Sequence, residues 1–385
     1  MKGSAGQIHI VAFDVPYPAD YGGVIDIFYK IKALHRAGIK VHLHCYTYGR
    51  AESKVLKKYC ASVRYYRRKV FRNPIYNKKP YIVASRNSSA LIEDLLADDS
   101  PILFEGLHST YYLDDPRLKD RFKIVRTHNV EHDYYRQLEK VENNVFKKYF
   151  FKIESERLKR YEKTLKHADL IAAISHNDTD HFRKKFSNVM YLPPFHRNDE
   201  LETQTGRGEF ILYHGNLSVG ENNVAAIFLV DKVFSKLNIP CVIAGNGATD
   251  ELRNSILQNG NIDLVEGVTA EEIEELIRDA HINVLPTRQA TGIKLKLVNA
   301  LFMGRYCVAN SKMIDNTGLE DCCVEANTAT QFIDAINDLW KREFTESELT
   351  ERKSQLAEGF CNMEGIDALI GMIPELQSVT TLEQA

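Results

Sequence analysis

No apolar run in this sequence approaches the ~20 residues that a membrane-spanning helix requires, so no span is expected. The opening residues, MKGSAGQIHIV, place no apolar signal segment ahead of the first strand-like run, so no export is expected. No two of the seven cysteines form a Cys-x-x-Cys pair, which speaks against both a zinc site and a disulfide framework. Together these absences make the cytoplasm the expected compartment. There is no Gly-x-Gly-x-x-Gly dinucleotide fingerprint, no repeat beyond an alternation of strand and helix patterns, and no low-complexity segment. What is present is an ordinary globular composition over 385 residues, 44% hydrophobic and 26% charged, long enough for two domains with separate cores.

The net charge of −2 hides an asymmetry. Residues 1–195 hold about 35 Lys and Arg against 22 Asp and Glu, whereas the remainder holds about 15 against 30. A basic first half either meets something anionic or attracts the acidic second half. Arg64 to Arg86, RYYRRKVFRNPIYNKKPYIVASR, interleaves cations with aromatics. Such a stretch suits nucleic acid, anionic lipid headgroups or an acidic acceptor, and equally a solvated surface over a strand. No nucleic-acid-binding module surrounds it, so nucleic acid is the weakest of these readings.

The first half reads as strand Ile8 to Phe13, a turn-rich loop from Asp14 to Gly23, a helix of about 14 residues closed by Gly38, and strand Lys40 to Tyr46. This is a βαβ unit, and Gly22-Gly23 either lets backbone approach a ligand or simply makes the turn. Strands Pro101 to Phe104 and Phe122 to Arg126 follow, the second running into Thr127-His128-Asn129. Ligands of open α/β sheets bind beyond the carboxyl ends of strands, so His128 is a candidate acid, base or hydrogen-bond donor to substrate. A structural loop histidine fits the same position. A charged helix is predicted from about Tyr134 to Ala168, then strand Leu170 to Ile174, a helix cap at Ser175 and strand Val189 to Leu192. Residues 195–208 are polar and read as the interdomain linker.

The second half repeats the rhythm, with strands at Phe210 to Tyr213, Pro240 to Ile243, Ile262 to Val265, His281 to Leu285 and Tyr306 to Ala309. Its most informative stretch is Pro286 to Gly304, PTRQATGIKLKLVNALFMG, where Leu297, Val298, Leu301 and Phe302 recur at helical spacing. Strand, polar loop and helix N-terminus in this order make a natural anion site, and Lys294 near the helix start adds a cation. One more βα unit with no ligand has the same spacing.

Taken together, these features resemble the GT-B glycosyltransferases, specifically the large retaining family 4 group (glycosyl transferases group 1), over nearly the whole chain. The resemblance rests on Tyr21-Gly-Gly23, Thr127-His128-Asn129 and Ile174-Ser175 in the first half. In the second half it rests on His214-Gly-Asn-Leu217, Glu221-Asn222-Asn223, Ala244-Gly-Asn-Gly247, Leu285-Pro286, Gly292-Ile-Lys-Leu-Lys296 and Asn299-Ala-Leu301 with Gly304. It implies an α/β chain with two Rossmann-like doubly wound domains facing a cleft. Residues 1–195 would bind the acceptor, residues 209–360 the nucleotide sugar, and the helix and tail of 361–385 would cross back to the first domain. It also implies that Gly22 and Gly23 lie near the donor diphosphate, that His128 contacts the transferred sugar, and that Gly215 and Asn216 form the first loop of the second domain. Gly245 and Gly247 would flank the nucleotide base, and Gly292, Ile293 and Lys294 would form the phosphate loop.

One departure stands out. The family's Glu-x7-Glu is replaced by Thr291 and Asn299, eight positions apart. Asn299 can still hydrogen-bond a ribose hydroxyl, without charge assistance. The basic pair usual in the first loop is also missing, which leaves Lys294, with Arg288 or Lys296, to neutralise the diphosphate. The expected activity is a metal-independent, retaining transfer from a UDP- or GDP-linked sugar to a glycan or lipid-linked acceptor, as in surface polysaccharide biosynthesis. No cofactor is expected, and no acidic pair suits a double-displacement nucleophile. Peripheral contact with an anionic membrane surface is a further expectation. The alternatives are a catalytically silent GT-B partner that binds nucleotide or glycan, and a nucleotide-sugar 2-epimerase, which would need carboxylates that this stretch lacks.

Overall fold

The computed structural model describes residues 6–70, 79–142, 144–288, 295–357 and 359–377. They divide into two compact units, Met1–Arg197 with Asn362–Ala385, and Asn198–Cys361.

The first unit is built on seven strands: β1 (Gln7–Ala12), β2 (Lys40–Thr47), β3 (Ser62–Arg67), β4 (Ile102–Glu105), β5 (Lys123–Thr127), β6 (Leu170–Ala173) and β7 (Val189–Tyr191). They lie in the order β3-β2-β1-β4-β5-β6-β7, every pair parallel. Its helices are α1 (Gly22–Arg36), α2 (Tyr81–Ala84), α3 (Ser89–Leu95), α4 (Glu131–Val141), α5 (Val145–Tyr161) and α6 (His176–Arg183). Strands such as β4, β5 and β6 are buried along their whole length. That is why they read in the sequence as short continuous apolar runs and not as alternating ones. One core, with Ile8, Ile10, Ile27, Ile31 and Leu43, also takes in Phe195, Ile366, Leu369 and Ile370. The helix Asn362–Gly371 therefore completes the core of a unit whose other residues end at Arg197. Gly365 allows this approach, because a Cβ there would stand 3.3 Å from the Phe195 ring.

The second unit has strands β8 (Ile211–His214), β9 (Cys241–Ala244), β10 (Ile262–Val265), β11 (Ile282–Leu285), β12 (Tyr306–Ala309) and β13 (Val324–Glu325), ordered β10-β9-β8-β11-β12-β13 and again all parallel. Its helices are α7 (Gly220–Lys232), α8 (Asp250–Leu257), α9 (Ala270–Asp279), α10 (Leu295–Met303), α11 (Ser311–Ile314), α12 (Ala329–Leu339) and α13 (Glu346–Ala357); Asn362–Gly371 is α14. Reciprocal capping boxes, Thr269 with Glu272 and Thr328 with Gln331, start α9 and α12. In each sheet the connection reverses once, between β1 and β4 and between β8 and β11, which is where doubly wound sheets bind ligands.

One predicted helix differs from the sequence reading. The predicted helix from Tyr134 to Ala168 is two helices, because the Asn144 side chain accepts from the amides of Phe146 and Lys147 and starts α5 afresh. The basic stretch contains a strand, β3, paired with β2. Several of its cations are also used internally. Arg86 is buried and donates to the carbonyls of Phe13 and Ile82, Arg68 lies over the rings of Tyr48 and Tyr81, and Lys79 lies over Tyr111. Residues 71–78 of that stretch lie outside the described residues.

Candidate functional site

In the first unit the reversal point is lined from four strand ends. Phe13 follows β1, and α1 begins at Gly22 with Tyr21 extended ahead of it. Gly22 and Gly23 therefore occupy the first turn of a helix and not the loop. A Cβ on Gly23 would come within 2.6 Å of Phe13 Cζ, so glycine lets that ring lie against the helix start. His128 follows β5 and meets the Phe13 ring edge-on, 5.4 Å between centroids.

His128 rests on a buried ionic network. Its Nε2 hydrogen-bonds Glu105 Oε2 at 2.9 Å. Lys30 Nζ donates to Glu105 Oε1 (2.7 Å) and Asp26 Oδ2 (3.0 Å), and Arg126 donates to both oxygens of Asp26 (3.1 and 2.8 Å). Asp26, Lys30, Glu105 and Arg126 are fully buried. Burial by itself would raise the two carboxyls. Arg126 and Lys30 beside Asp26, and Lys30 and His128 beside Glu105, outweigh it and hold both below their ordinary values. Two cations thus balance two carboxylates, and Glu105 orients the imidazole through Nε2. The other nitrogen, Nδ1, stands 4.0 Å from Asp26 Oδ2.

Beside this network lie groups that the sequence reading passed over. His108 follows the tight turn at Gly106 (φ +66°) after β4, Glu131 opens α4, and Asp178 lies in the first turn of α6. The Ser175 hydroxyl accepts from the Asp178 amide at 3.1 Å, as the cap at Ser175 anticipated. His108 Nδ1, Thr127 Oγ1, Glu131 Oε1 and Asp178 Oδ2 are buried and have no hydrogen-bond partner among the described residues. His108 Nδ1 faces Glu131 Oε1 across 3.7 Å. Burial, with the Asp178 charge, pushes the Glu131 carboxyl up to about 8, and burial lifts Asp178 to about 6. Burial and the charges of Arg86 and His128 hold the His108 imidazole well below its ordinary value. Orphaned buried groups cost about 1–3 kcal/mol each, so their concentration here needs a reason. A carboxylate three residues after His128, at a helix start, was the signal available in the sequence.

Among the described residues, two carboxylate–histidine groupings have the spacing of metal ligands: Asp26, Glu105 and His128, and His132, Glu162 and His181. In both, internal cations already hold the carboxylates. Lys30 and Arg126 serve the first, and Lys185 donates to Glu162 in the second.

In the second unit the reversal point is lined by the loops after β8, β9 and β11. Gly245 (φ +148°) packs so tightly that a Cβ would fall 1.8 Å from the Gly215 carbonyl oxygen. Gly247 (φ +83°) lies against Ser218, where a Cβ would be 2.8 Å from the Ser218 Cβ. Asn216 accepts from the Ser218 amide and hydroxyl at 3.1 and 2.6 Å, and its carbonyl accepts from Asn222 at 3.0 Å. Glu221, at the start of α7, accepts from the Thr287 hydroxyl and the Arg288 amide (3.2 Å), tying the β11 loop to that helix start. The side chain of Arg288 is exposed. Lys296 donates to Asn222 Oδ1 at 3.2 Å and lies over the Tyr213 ring. Burial, aided by the Lys296 charge, pulls His214 down to about 3. Asn299 Oδ1 accepts from Asn198 Nδ2 at 3.0 Å. Thr291, Gly292, Ile293 and Lys294 lie outside the described residues, and α10 is described from Leu295. The unit therefore brings Gly215, Asn216, Gly245, Gly247 and Arg288 to one sheet edge. Glu221 and Lys296 join Arg288 as described charged groups near that edge.

Two doubly wound parallel sheets in series, the chain returning at its end to the first, define the GT-B fold. The comparisons agree. The S. aureus TarM G117R mutant, in complex with fondaparinux, α-GlcNAc-glycerol and UDP, is 12% identical, with a TM-score of 0.64 over 96% of this chain and 100% of that one. The pneumococcal O-GlcNAc transferase GtfA, in complex with UDP and GlcNAc, is 10% identical, with a TM-score of 0.61 over 97% and 99%. Residues 208–342, within the second unit, match the family described as Glycosyl transferases group 1. The chain is also 28% identical, over 333 residues, to an "Uncharacterized 44.6 kDa protein in cps region" of Klebsiella pneumoniae, covering 81% of this chain and 84% of that protein.

Proposed function

We propose that this protein transfers a hexose from a nucleotide diphosphate donor, UDP- or GDP-linked, to a glycan or lipid-linked acceptor with retention at the anomeric carbon. The carrying observation is the glycine-lined edge of the second unit at the β8/β11 reversal, inside the segment that matches the family. Gly215, Gly245 and Gly247 hold their loops so close that no side chains could intervene, the packing that lets backbone approach a nucleotide. UDP in the TarM and GtfA structures supports a nucleotide-sugar donor, and the cps-region relative supports a place in surface polysaccharide biosynthesis.

In the reaction, the bond from the anomeric carbon to the diphosphate oxygen breaks and its electron pair leaves with the diphosphate. The acceptor hydroxyl bonds to the same face of that carbon, and its proton passes to the departing phosphate oxygen. Lys294 and the amides at the start of α10, with Arg288, stabilise the developing charge. Gly22 and Gly23, in the first turn of α1, lie near the diphosphate. Thr291, Gly292 and Ile293 form the donor loop, and Asn299 faces the ribose. His128, held by Glu105, positions the transferred sugar, and no metal or other cofactor enters the step.

The acceptor side works from the cytoplasm at a membrane surface. No described helix is long and apolar enough to cross a membrane. Instead α5 presents Val145, Phe146 and Tyr149, 76%, 87% and 61% exposed, among Lys147, Lys148 and Lys152. Aromatics among lysines on one exposed helix suit an anionic lipid interface.

A panel of UDP-, GDP- and ADP-sugars tests the reading by donor consumption, with Lys294→Ala as control. Turnover of one donor, lost in the variant, is the expected result. Nucleotide binding without turnover on any donor favours a silent nucleotide-binding partner, the reading to which Asn299, engaged by Asn198 and standing where the family has a glutamate, would then belong.

A further inference from the structure

Four buried side-chain polar atoms that lack a hydrogen-bond partner among the described residues lie at the carboxyl ends of the neighbouring strands β4, β5 and β6. They are His108 Nδ1, Thr127 Oγ1, Glu131 Oε1 and Asp178 Oδ2. Glu131 is 4% exposed and Asp178 7%, whereas the His108 side chain is 21% exposed and links the group to the surface. Buried polar atoms are normally satisfied, so unpartnered ones gathered at a sheet's ligand-binding edge mark places where a ligand completes the hydrogen bonding.

The chemistry of that ligand can be read from the lining. The Asp178 carboxylate, which ionises near 6, repels a phosphate or a carboxylate. An ammonium is disfavoured because the Arg86 guanidinium acts electrostatically on both Glu131 and His108. A neutral hydroxyl remains. It donates and accepts at once, which matches an imidazole nitrogen and a carboxyl oxygen that face each other across 3.7 Å.

We propose that His108 and Glu131, backed by Thr127 and Asp178, form a specificity subsite that grips a hydroxyl group of a neutral carbohydrate acceptor. The site deepens the transferase reading and rests on it for the role of the bound sugar. It asks nothing of residues 289–294. A hydroxyl held between an imidazole and an uncharged carboxyl is fixed in both donor and acceptor directions, which selects the orientation of one ring substituent.

Calorimetric titration of the full chain with neutral gluco-, galacto- and manno-oligosaccharides, and separately with UDP, tests it. At least one neutral oligosaccharide is expected to bind. Glu131→Ala and His108→Phe should weaken it tenfold or more with UDP affinity unchanged, and thermal melts establish that each variant is folded. Glu131→Gln keeps a donor and an acceptor and should bind within about threefold of wild type. Unchanged binding in Glu131→Ala, no neutral oligosaccharide bound by wild type at millimolar concentration, or tighter binding of glucosamine or glucose 6-phosphate would overturn the proposal. UDP and oligosaccharide report separately. Wild type that binds oligosaccharide but no nucleotide would remove the transferase reading and support the sugar site.

Discussion

Replacing Glu131 by Gln should stabilise the protein at alkaline pH and hardly at all in mild acid. The side chain is buried and its carboxyl titrates near 8, against an ordinary value of 4.5. A raised folded-state value means that the folded chain holds a proton which the unfolded chain has released between those limits. The associated stability is fully present below about pH 4.5 and is lost as pH rises through about 8. At about 1.36 kcal/mol per pH unit, deprotonation removes on the order of 5 kcal/mol across that window. Glutamine has the shape and hydrogen-bonding capacity of the protonated acid and never ionises. The variant should therefore match wild type near pH 4.5 and exceed it by a few kcal/mol at pH 8.5, a rise in Tm of roughly 5–10 °C for a unit of this size. Thermal and urea unfolding at half-unit steps from pH 4.5 to 9 would measure it. Parallel curves for the two proteins would refute the reasoning, because they would show that Glu131 ionises at no cost in the fold.

Other outcomes follow from the same geometry. Gly245→Ala places a Cβ against the Gly215 carbonyl at a left-handed φ and should cost about 3 kcal/mol or more in urea unfolding, with loss of nucleotide binding. Lys30→Met leaves Asp26 and Glu105 one cation short inside the core, and should cost about 3–5 kcal/mol by urea unfolding. Phe146→Ser, at a side chain 87% exposed, should leave Tm unchanged and reduce co-sedimentation with anionic vesicles severalfold; equal co-sedimentation would remove α5 from the membrane contact.

Much of the architecture was legible in the chain because parallel strands buried on both faces can be written only as short apolar runs. Leu170-Ile-Ala-Ala and Ile282-Asn-Val-Leu carry that signature, and the glycines between such runs mark where loops close on one another. The alternation of strand and helix, the close-packed glycines at 215, 245 and 247, and the cap at Ser175 were all present in local sequence. β3 was legible only as one of several readings, because SVRYYR spends its polar residues on an edge strand and reads equally as a cationic binding surface. The break before α5 turned on a single Asn side chain.

What tertiary structure alone decided is how charge is treated. Sequence counts Asp26, Lys30, Glu105 and Arg126 as four charged residues scattered over 100 positions, and only the packing of α1 against the sheet makes them one buried, balanced support for His128. The same holds for Glu131, an ordinary helix-start glutamate until desolvation beside Asp178 makes it hold its proton, and for Asn299, whose oxygen is taken by Asn198 from across the unit. Periodicity is a local property and survives in a string of letters. Desolvation and pairing depend on residues far apart in the chain, and these set the chemistry of each group.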